Sequence, residues 1–323
     1  MEKVKYAVIG VGNMGKNHAR SVYELENIEL VAVADTNIKE AGLIAKSFSC
    51  KSFENYETML EECDIDMLSI CAPTSQHEKI ATACIKKGKH VLIEKPIAPT
   101  LEEAIRIKDL AIKNNITLMI GHIERFNPAV LKTKELIKNN EIGSIVSIMA
   151  RRVGVFPPQI KDANIAIDLA IHDLDIISYL LDDEPISVTA HKKRNHIEHR
   201  EDSVEFFLKY PQSSAYIQAN WITPVKIRKL NITGTDGYIE MDYINQKIQF
   251  FKSNYEKYKD IPGHSDGFSD YVLKYMEPDL IEISVAKREP LKEEIMYFVS
   301  AARSKKNINI DFSINALATA LKA

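Results

Sequence analysis

The stretch from Val4 to Asp35, VKYAVIGVGNMGKNHARSVYELENIELVAVAD, constrains the fold more than any other part of the chain. Tyr6–Ile9 is apolar with no polar alternation, the pattern of a strand buried on both faces. Gly10, Gly12 and Gly15 follow with G-x-G-x-x-G spacing and open a helix expected over residues 13–25, and a second apolar run over 28–34 ends in Asp35. Gly10 permits the tight turn, Gly12 lets backbone approach a pyrophosphate, and Gly15 lets helix and strand pack closely. Asn13 and Met14 at the helix start offer backbone N–H groups and a positive dipole end to phosphate. Asp35, about twenty residues beyond the glycines, can accept hydrogen bonds from both adenosine ribose hydroxyls. It would also repel a 2′-phosphate, and Thr36 and Asn37 supply no cation to offset that, so NAD is expected over NADP. An ordinary strand–helix turn leaves the third glycine and Asp35 unexplained. A flavin site usually comes with longer insertions than this chain has.

A chain of 323 residues is long enough for two domains with separate cores. Its basic residues are dispersed and the net charge is −3, so no nucleic-acid partner is expected. Cys50, Cys63, Cys71 and Cys84 form no C-x-x-C pair and read as reduced core thiols. With no apolar leader and no run of membrane-spanning length, a cytoplasmic protein without a membrane partner is expected.

Beyond Asp35, helices are expected over 38–48, 56–62, 76–87 and 101–114, and strands over 66–71, 90–93 and 117–120. This alternation predicts an α/β domain over residues 1–122, a Rossmann-type doubly wound parallel sheet. In such sheets the ligand lies beyond the carboxyl ends of the strands, where Ala72-Pro73-Thr74, Glu94-Lys95-Pro96 and Gly121-His122 are placed. From residue 123 to 311 the pattern becomes α+β, with a mostly antiparallel open sheet. Helices are expected over 127–139 and 165–181, and strands over 144–153, 186–193, 204–210, 214–221, 226–233, 238–243 and 247–251. The Gly234–Gly237 turn fits a hairpin. Residues 254–278 read as an irregular lid or interface loop. Helices follow over 291–304 and 312–322, the last expected to return to the first domain.

Lys95 follows a buried strand at the ligand edge of the sheet, where an ammonium can hold a hydroxyl and stabilise developing alkoxide charge. A surface lysine paired with Glu94 accounts for the spacing equally well. Asp168 and His172 stand four apart on a predicted helix and share a face. His172 suits a proton acceptor and Asp168 would orient it, although exposed pairs of this kind are often only solvated. A metal site on Asp168, His172 and Asp173 is disfavoured, because no further Cys/His cluster has ligand spacing.

Together these residues resemble the Gfo/Idh/MocA family of sugar and polyol dehydrogenases. The likeness is carried by GVGNMG, Asp35, CAPTSQH (71–77), IEKP (93–96), GHIERFNP (121–128), IDLAIHDLD (167–175) and NWITPVKIRKLNITGTDG (220–237). The resemblance implies Lys95, Asp168 and His172 as the catalytic constellation and Pro73, His77 and Glu94 at the nicotinamide site. It also implies a homodimer or homotetramer built on the open sheet. Within the family, GHIERFNPAV (121–130), RRVGVFPP (151–158) and IDLAIHDLDII (167–177) are most similar to the branch acting at the 3-hydroxyl of UDP-N-acetylglucosamine. A nucleotide-sugar substrate is thus expected, with Arg125 and Arg152 meeting diphosphate or sugar hydroxyls and Asn127 a hydroxyl or acetamido group. Structural ion pairs explain these arginines as readily. Inositol, a free sugar or the corresponding uronate are alternative substrates, and a non-catalytic dinucleotide sensor is the alternative outside enzymes. An aminotransferase is the expected downstream partner.

Overall fold

The computed structural model describes residues 3–156, 164–253 and 279–322. The expected irregular segment over 254–278 lies outside these residues. The chain divides into two compact units, Met1–Phe126 with Glu289–Ala318, and Asn127–Arg288 with Thr319–Ala323. Among the described residues no helix is long and apolar enough to cross a membrane.

In the first unit, β1 (Val4–Ile9), β2 (Ile28–Ala34), β3 (Lys51–Phe53), β4 (Met67–Ile70), β5 (His90–Glu94) and β6 (Leu118–Gly121) form one parallel sheet. Their order is β3-β2-β1-β4-β5-β6, that of a doubly wound dinucleotide-binding fold. The crossovers carry α1 (Asn13–Tyr23), α2 (Ile38–Phe48), α3 (Tyr56–Glu62), α4 (His77–Lys86) and α5 (Leu101–Lys113). Their starts are written locally: the side chains of Asn37, Asn55 and Thr100 accept from Glu40, Glu57 and Glu103 N–H. Strand β3 was not anticipated. It is a three-residue edge strand with two exposed side chains, so it carries no apolar run to read.

The second unit contains α6 (Pro128–Lys138), β7 (Ile145–Val155), a π turn over Ala166–Ala170 and α7 (Ile171–Leu181). There follow β8 (Ser187–Lys193), β9 (Ser203–Lys209), β10 (Ser214–Asn220), β11 (Ile222–Gly234), β12 (Gly237–Asp242), β13 (Lys247–Lys252) and β14 (Asp279–Ile283). The eight strands order as β14-β13-β12-β11-β7-β10-β9-β8. All neighbours are antiparallel except β7 and β10. Val204, Phe206 and Leu208 alternate with more exposed residues, as do Ala215, Ile217 and Ala219. The buried face packs against α6 and α7, as expected of an antiparallel sheet covered on one side. Strand β14 reads DLIEI, with Leu280, Ile281 and Ile283 apolar, yet with only β13 as neighbour it leaves four of its five residues exposed.

The chain then returns to the first unit through α8 (Pro290–Arg303) and the start of α9 (Asp311–Lys322). The span 123–311 expected for the second domain therefore differs from the observed units. The apolar stripe of α8, Leu291, Ile295, Phe298, Val299 and Ala302, joins the core cluster of β1, β2 and α1. Phe298 meets Tyr6 edge-on, with centroids 6.4 Å apart and planes at 89°. Glu289 pairs with Arg20, and Lys292 Nζ lies 2.6 Å from Glu24. A helical stripe shows that a helix needs a partner but cannot say which unit supplies it. Because Phe298 is fully buried, Phe298→Ala should cost about 3–5 kcal/mol. Urea unfolding followed by circular dichroism checks this; a loss below about 1 kcal/mol would separate α8 from the core of the first unit.

Candidate active site

The turn after β1 has the geometry its glycines suggested. Gly10 holds φ at +84°, and a Cβ there would stand 2.7 Å from Ala72 N and the Cys71 carbonyl carbon. A Cβ on Gly15 would stand 1.8 Å from the Gly10 carbonyl oxygen, so α1 reaches the turn only without a side chain at this position. Around Gly12 nothing lies within 4 Å of such a Cβ, leaving the turn open on that side. The helix start has no side-chain cap and no acid in its first turn. Gly12, Asn13 and Met14 are exposed there. Free N–H groups at an open, uncapped helix start suit a pyrophosphate. Asp35 stands where the motif puts it, and its carboxylate also braces the site. Oδ2 accepts Val11 N–H at 2.7 Å and Oδ1 accepts Asn37 N–H at 2.8 Å. Each oxygen keeps a second lone pair for a ribose hydroxyl. These residues fit an NAD adenosine diphosphate.

Strands β4 and β5 end in the loops that carry the other expected cofactor contacts. Pro73 is exposed, while Ala72, Thr74 and Lys95 are half-buried. His77, expected at the nicotinamide, is buried and joins the two loops. Its Nε2 faces Ala72 O at 2.8 Å, and Nδ1 faces Pro96 O at 3.0 Å and Ile97 O at 3.2 Å. Burial lowers its pKa against the pull of those carbonyls. Glu94 is buried as well, accepting Lys95 N–H at 3.2 Å and facing His18 Nε2 at 2.8 Å. Burial raises its pKa, but the hydrogen bond from His18 and the charge of Lys95 outweigh this and hold it below the usual carboxylate value. His18 gave no signal in the sequence beyond its place three residues from Gly15 and four from Val22 on a helix that buries one face.

In the second unit Asp168 lies in the π turn and His172 one turn later in α7. Both are half-buried, while Leu169, Ala170, Ile171 and Asp173 between and beside them are buried. Asn164 caps this helical segment by accepting Ile167 N–H at 3.0 Å. The π turn itself was not legible, since it adds no residue type of its own; such turns recur at functional sites.

Arg152, expected toward substrate, is committed to Asp173. The guanidinium donates to both carboxylate oxygens, at 2.7 and 3.0 Å, and only 4% of the residue is exposed. It stacks over Tyr243 at 4.8 Å, and Tyr243 Oη donates to Asp173 at 3.3 Å. Asn127 caps α6 through Ala129 N–H and donates to Tyr243 O at 3.0 Å, so its amide also holds the frame. Arg125, in the first unit, is half-buried and donates to Ser313 Oγ at 3.2 Å. Sequence spacing could not foresee Asp173 as the partner of Arg152, because 21 residues separate them.

A doubly wound sheet with an open glycine turn and an acid closing its second strand is the geometry of a dinucleotide-binding domain. Residues 4–122 match the model of the oxidoreductase family with an NAD-binding Rossmann fold, and residues 130–240 match the Gfo/Idh/MocA C-terminal domain. The chain belongs to the Gfo/Idh/MocA family and is an NAD-dependent oxidoreductase. It is 28% identical over 311 residues to UDP-N-acetylglucosamine 3-dehydrogenase of Acidithiobacillus ferrooxidans, covering 96% of this chain and 92% of that one. The solved structure of that enzyme has a TM-score of 0.85 and 26% identity, covering 100% of this chain and 97% of that one. Glucose-6-phosphate 3-dehydrogenase of Bacillus subtilis is 30% identical over 274 residues, 80% of this chain and 77% of that one. Inositol 2-dehydrogenase of Rhizobium meliloti is 31% identical over 191 residues, 58% of each chain.

Two expectations follow. Removing the guanidinium in Arg152→Ala leaves the Asp173 carboxylate buried, which should cost about 3–5 kcal/mol in urea unfolding; a loss under about 1 kcal/mol would show that the pair is dispensable. Burial lowers the pKa of both His77 and His90 from 6.5, so the unfolded chain binds protons that the native state does not. The resulting stability is complete above about pH 6.5 and declines as pH falls through that value toward the folded pKa. The melting temperature should therefore drop between about pH 7.5 and 5.5, and less steeply in the His77→Gln/His90→Gln variant.

Proposed function

We propose that this chain oxidises the 3-hydroxyl of UDP-N-acetylglucosamine to a ketone. The observation that carries the substrate is coverage. In sequence the Acidithiobacillus enzyme aligns with 96% of this chain, whereas the inositol dehydrogenase aligns with 58% of it. A second long match, to glucose-6-phosphate 3-dehydrogenase, also supports position 3 of a phosphorylated glucose-type sugar.

Bound NAD supplies the hydride acceptor. Gly10, Gly12, Gly15 and the start of α1 bind its pyrophosphate, and Asp35 its adenosine ribose. His172 takes the hydroxyl proton on its imidazole, and Asp168, on the same helix face, orients the ring and balances its charge. Lys95 polarises the alcohol oxygen through its ammonium, which lowers the cost of alkoxide character as the proton leaves. Lys95 as the proton acceptor is the close alternative. Arg125 remains the cation for the diphosphate, while Arg152 and Asn127 act through the frame that carries His172. Homo-oligomerisation would cover the open sheet, whose outer face exposes Met149 and Phe207 by 54% and 53%. An aminotransferase is the class of enzyme that would consume the 3-keto product.

The test is NADH formation with UDP-N-acetylglucosamine, its uronate, glucose 6-phosphate and inositol, each with an aminotransferase and amino donor to trap ketone. Turnover of UDP-N-acetylglucosamine is expected, falling about 10²–10⁴-fold in Lys95→Met and in His172→Ala with NADH affinity retained. Turnover only of inositol or glucose 6-phosphate would replace the substrate. NADH binding with no turnover of any sugar would favour a sensor.

A further inference from the structure

Beneath Lys95 lies a buried polar array that no cofactor contact explains. Tyr6 Oη and Ser69 Oγ are 2.7 Å apart, Ser69 Oγ and His18 Nδ1 2.9 Å, and His18 Nε2 and Glu94 Oε1 2.8 Å. The other Glu94 oxygen accepts Lys95 N–H at 3.2 Å. Tyr6, Ser69 and His18 have no exposure, and Glu94 only 8%. Glu294 of α8, likewise wholly buried, completes the cluster. Ligand-type atoms of His18, Glu94 and Glu294 all lie within 4.8 Å of one another. His18 bonds Glu94 directly and Ser69 with its other nitrogen, so the geometry is that of a hydrogen-bonded array rather than of an ion cage.

The array has a direction. The Glu94 carboxylate can only accept, so His18 donates through Nε2. With the proton on Nε2, Nδ1 accepts from the Ser69 hydroxyl, and Ser69 accepts from the Tyr6 hydroxyl in turn. Each donor in the sequence Tyr6, Ser69, His18 thus meets one acceptor, and the line ends on the carboxylate beside the Lys95 peptide. Tyr6 lies buried against Phe298, so the line ends in the core and holds its members rather than conducting protons to water. Two neighbours leave Glu94 no other place. A Cβ on Gly121 would come within 3.2 Å of its Cα and Cδ. Glu294 and Phe298, one turn apart on α8, reach its cluster and Tyr6 respectively.

We propose that Glu94 is the positioning residue of Lys95, and that His18 and Glu294 act through Glu94, making the returning helix α8 part of the catalytic apparatus. The role rests on the dehydrogenase reading above, in which the Lys95 ammonium meets the reacting oxygen. The order of the strands agrees with it. Asp35 puts the adenosine over β2 and Gly10 the pyrophosphate over β1, so the nicotinamide half falls toward β4 and β5. The ends of those strands are the ones that Ser69 and Glu94 hold.

The test compares His18→Ala, His18→Gln and Glu294→Gln with wild type. Glutamine at 18 keeps a donor for Glu94 and loses only the link to Ser69. We expect His18→Ala and Glu294→Gln to lose kcat about tenfold, with NADH Kd and sugar KM within about threefold, and His18→Gln to recover most of the loss. A loss confined to KM or NADH binding, or equal losses in the two His18 variants, would overturn the proposal. A second arm needs neither sugar nor folding of those variants. In apo protein labelled with 15N-histidine, His18 should carry its proton on Nε2, and Glu94→Gln should shift that resonance upfield. An unchanged resonance would overturn the array. If wild type turns over no sugar, the dehydrogenase reading fails and this resonance alone decides the array.

Discussion

The missing side chain of Gly15 is the constraint on which the nucleotide half of the molecule depends. With a Cβ 1.8 Å from the Gly10 carbonyl excluded, α1 can start against the turn instead of above it. The helix axis is then directed so that its uncapped N–H groups open on the side left vacant at Gly12. The same close approach sets His18, one turn further along, against Ser69 and Glu94. The open helix start and the buried contacts of His18 therefore share one packing contact, because a helix is rigid over one turn and carries both.

Charged groups in both units are buried where geometry has to be reproduced. Arg152 and Asp173 form a two-pronged pair within the second unit, with Tyr243 against both. Asp173 adjoins His172, so the pair sets the rotation of α7 and with it the direction of the imidazole. In the first unit, Glu94 adjoins Lys95 and is held by His18. Apolar packing alone tolerates sliding by a methyl group or so. A hydrogen-bonded ion pair in low dielectric does not, since a small displacement leaves a desolvated charge. In each unit the residue proposed for chemistry is half-buried and its immediate sequence neighbour is locked.

Much of this was legible from residues alone where the signal is local. The glycine turn, the strand runs of the first unit and the alternation along β9, β10, β12 and β13 each depend on contacts within a few residues or on a pattern of burial. Asp168 and His172 were paired on α-helical spacing alone, and the turn that holds Asp168 is π rather than α. The edge strands β3 and β14 were missed because each is too short to show a period: β3 has one apolar residue in three, and β14 mixes Leu280, Ile281 and Ile283 with two acids. Arg152 and Asn127 were expected at substrate because their chemistry suits it, and His77 at the nicotinamide because the family resemblance puts it there. Their partners, Asp173, the Ala72, Pro96 and Ile97 carbonyls, and Tyr243, lie far away in sequence or on the main chain.

The sequence by itself determined that a dinucleotide fold opens the chain, that an antiparallel sheet follows, and which residue types are available for hydride-transfer chemistry. These are properties of local periodicity and of single residues, and they survive without knowledge of long-range contacts. Tertiary structure decided which of those residues face solvent and which hold others in place. It also decided that α8, nearly three hundred residues from β1, completes the core around Tyr6 and His18. A polar side chain carries the same donors and acceptors wherever it sits, and only the fold chooses its partners.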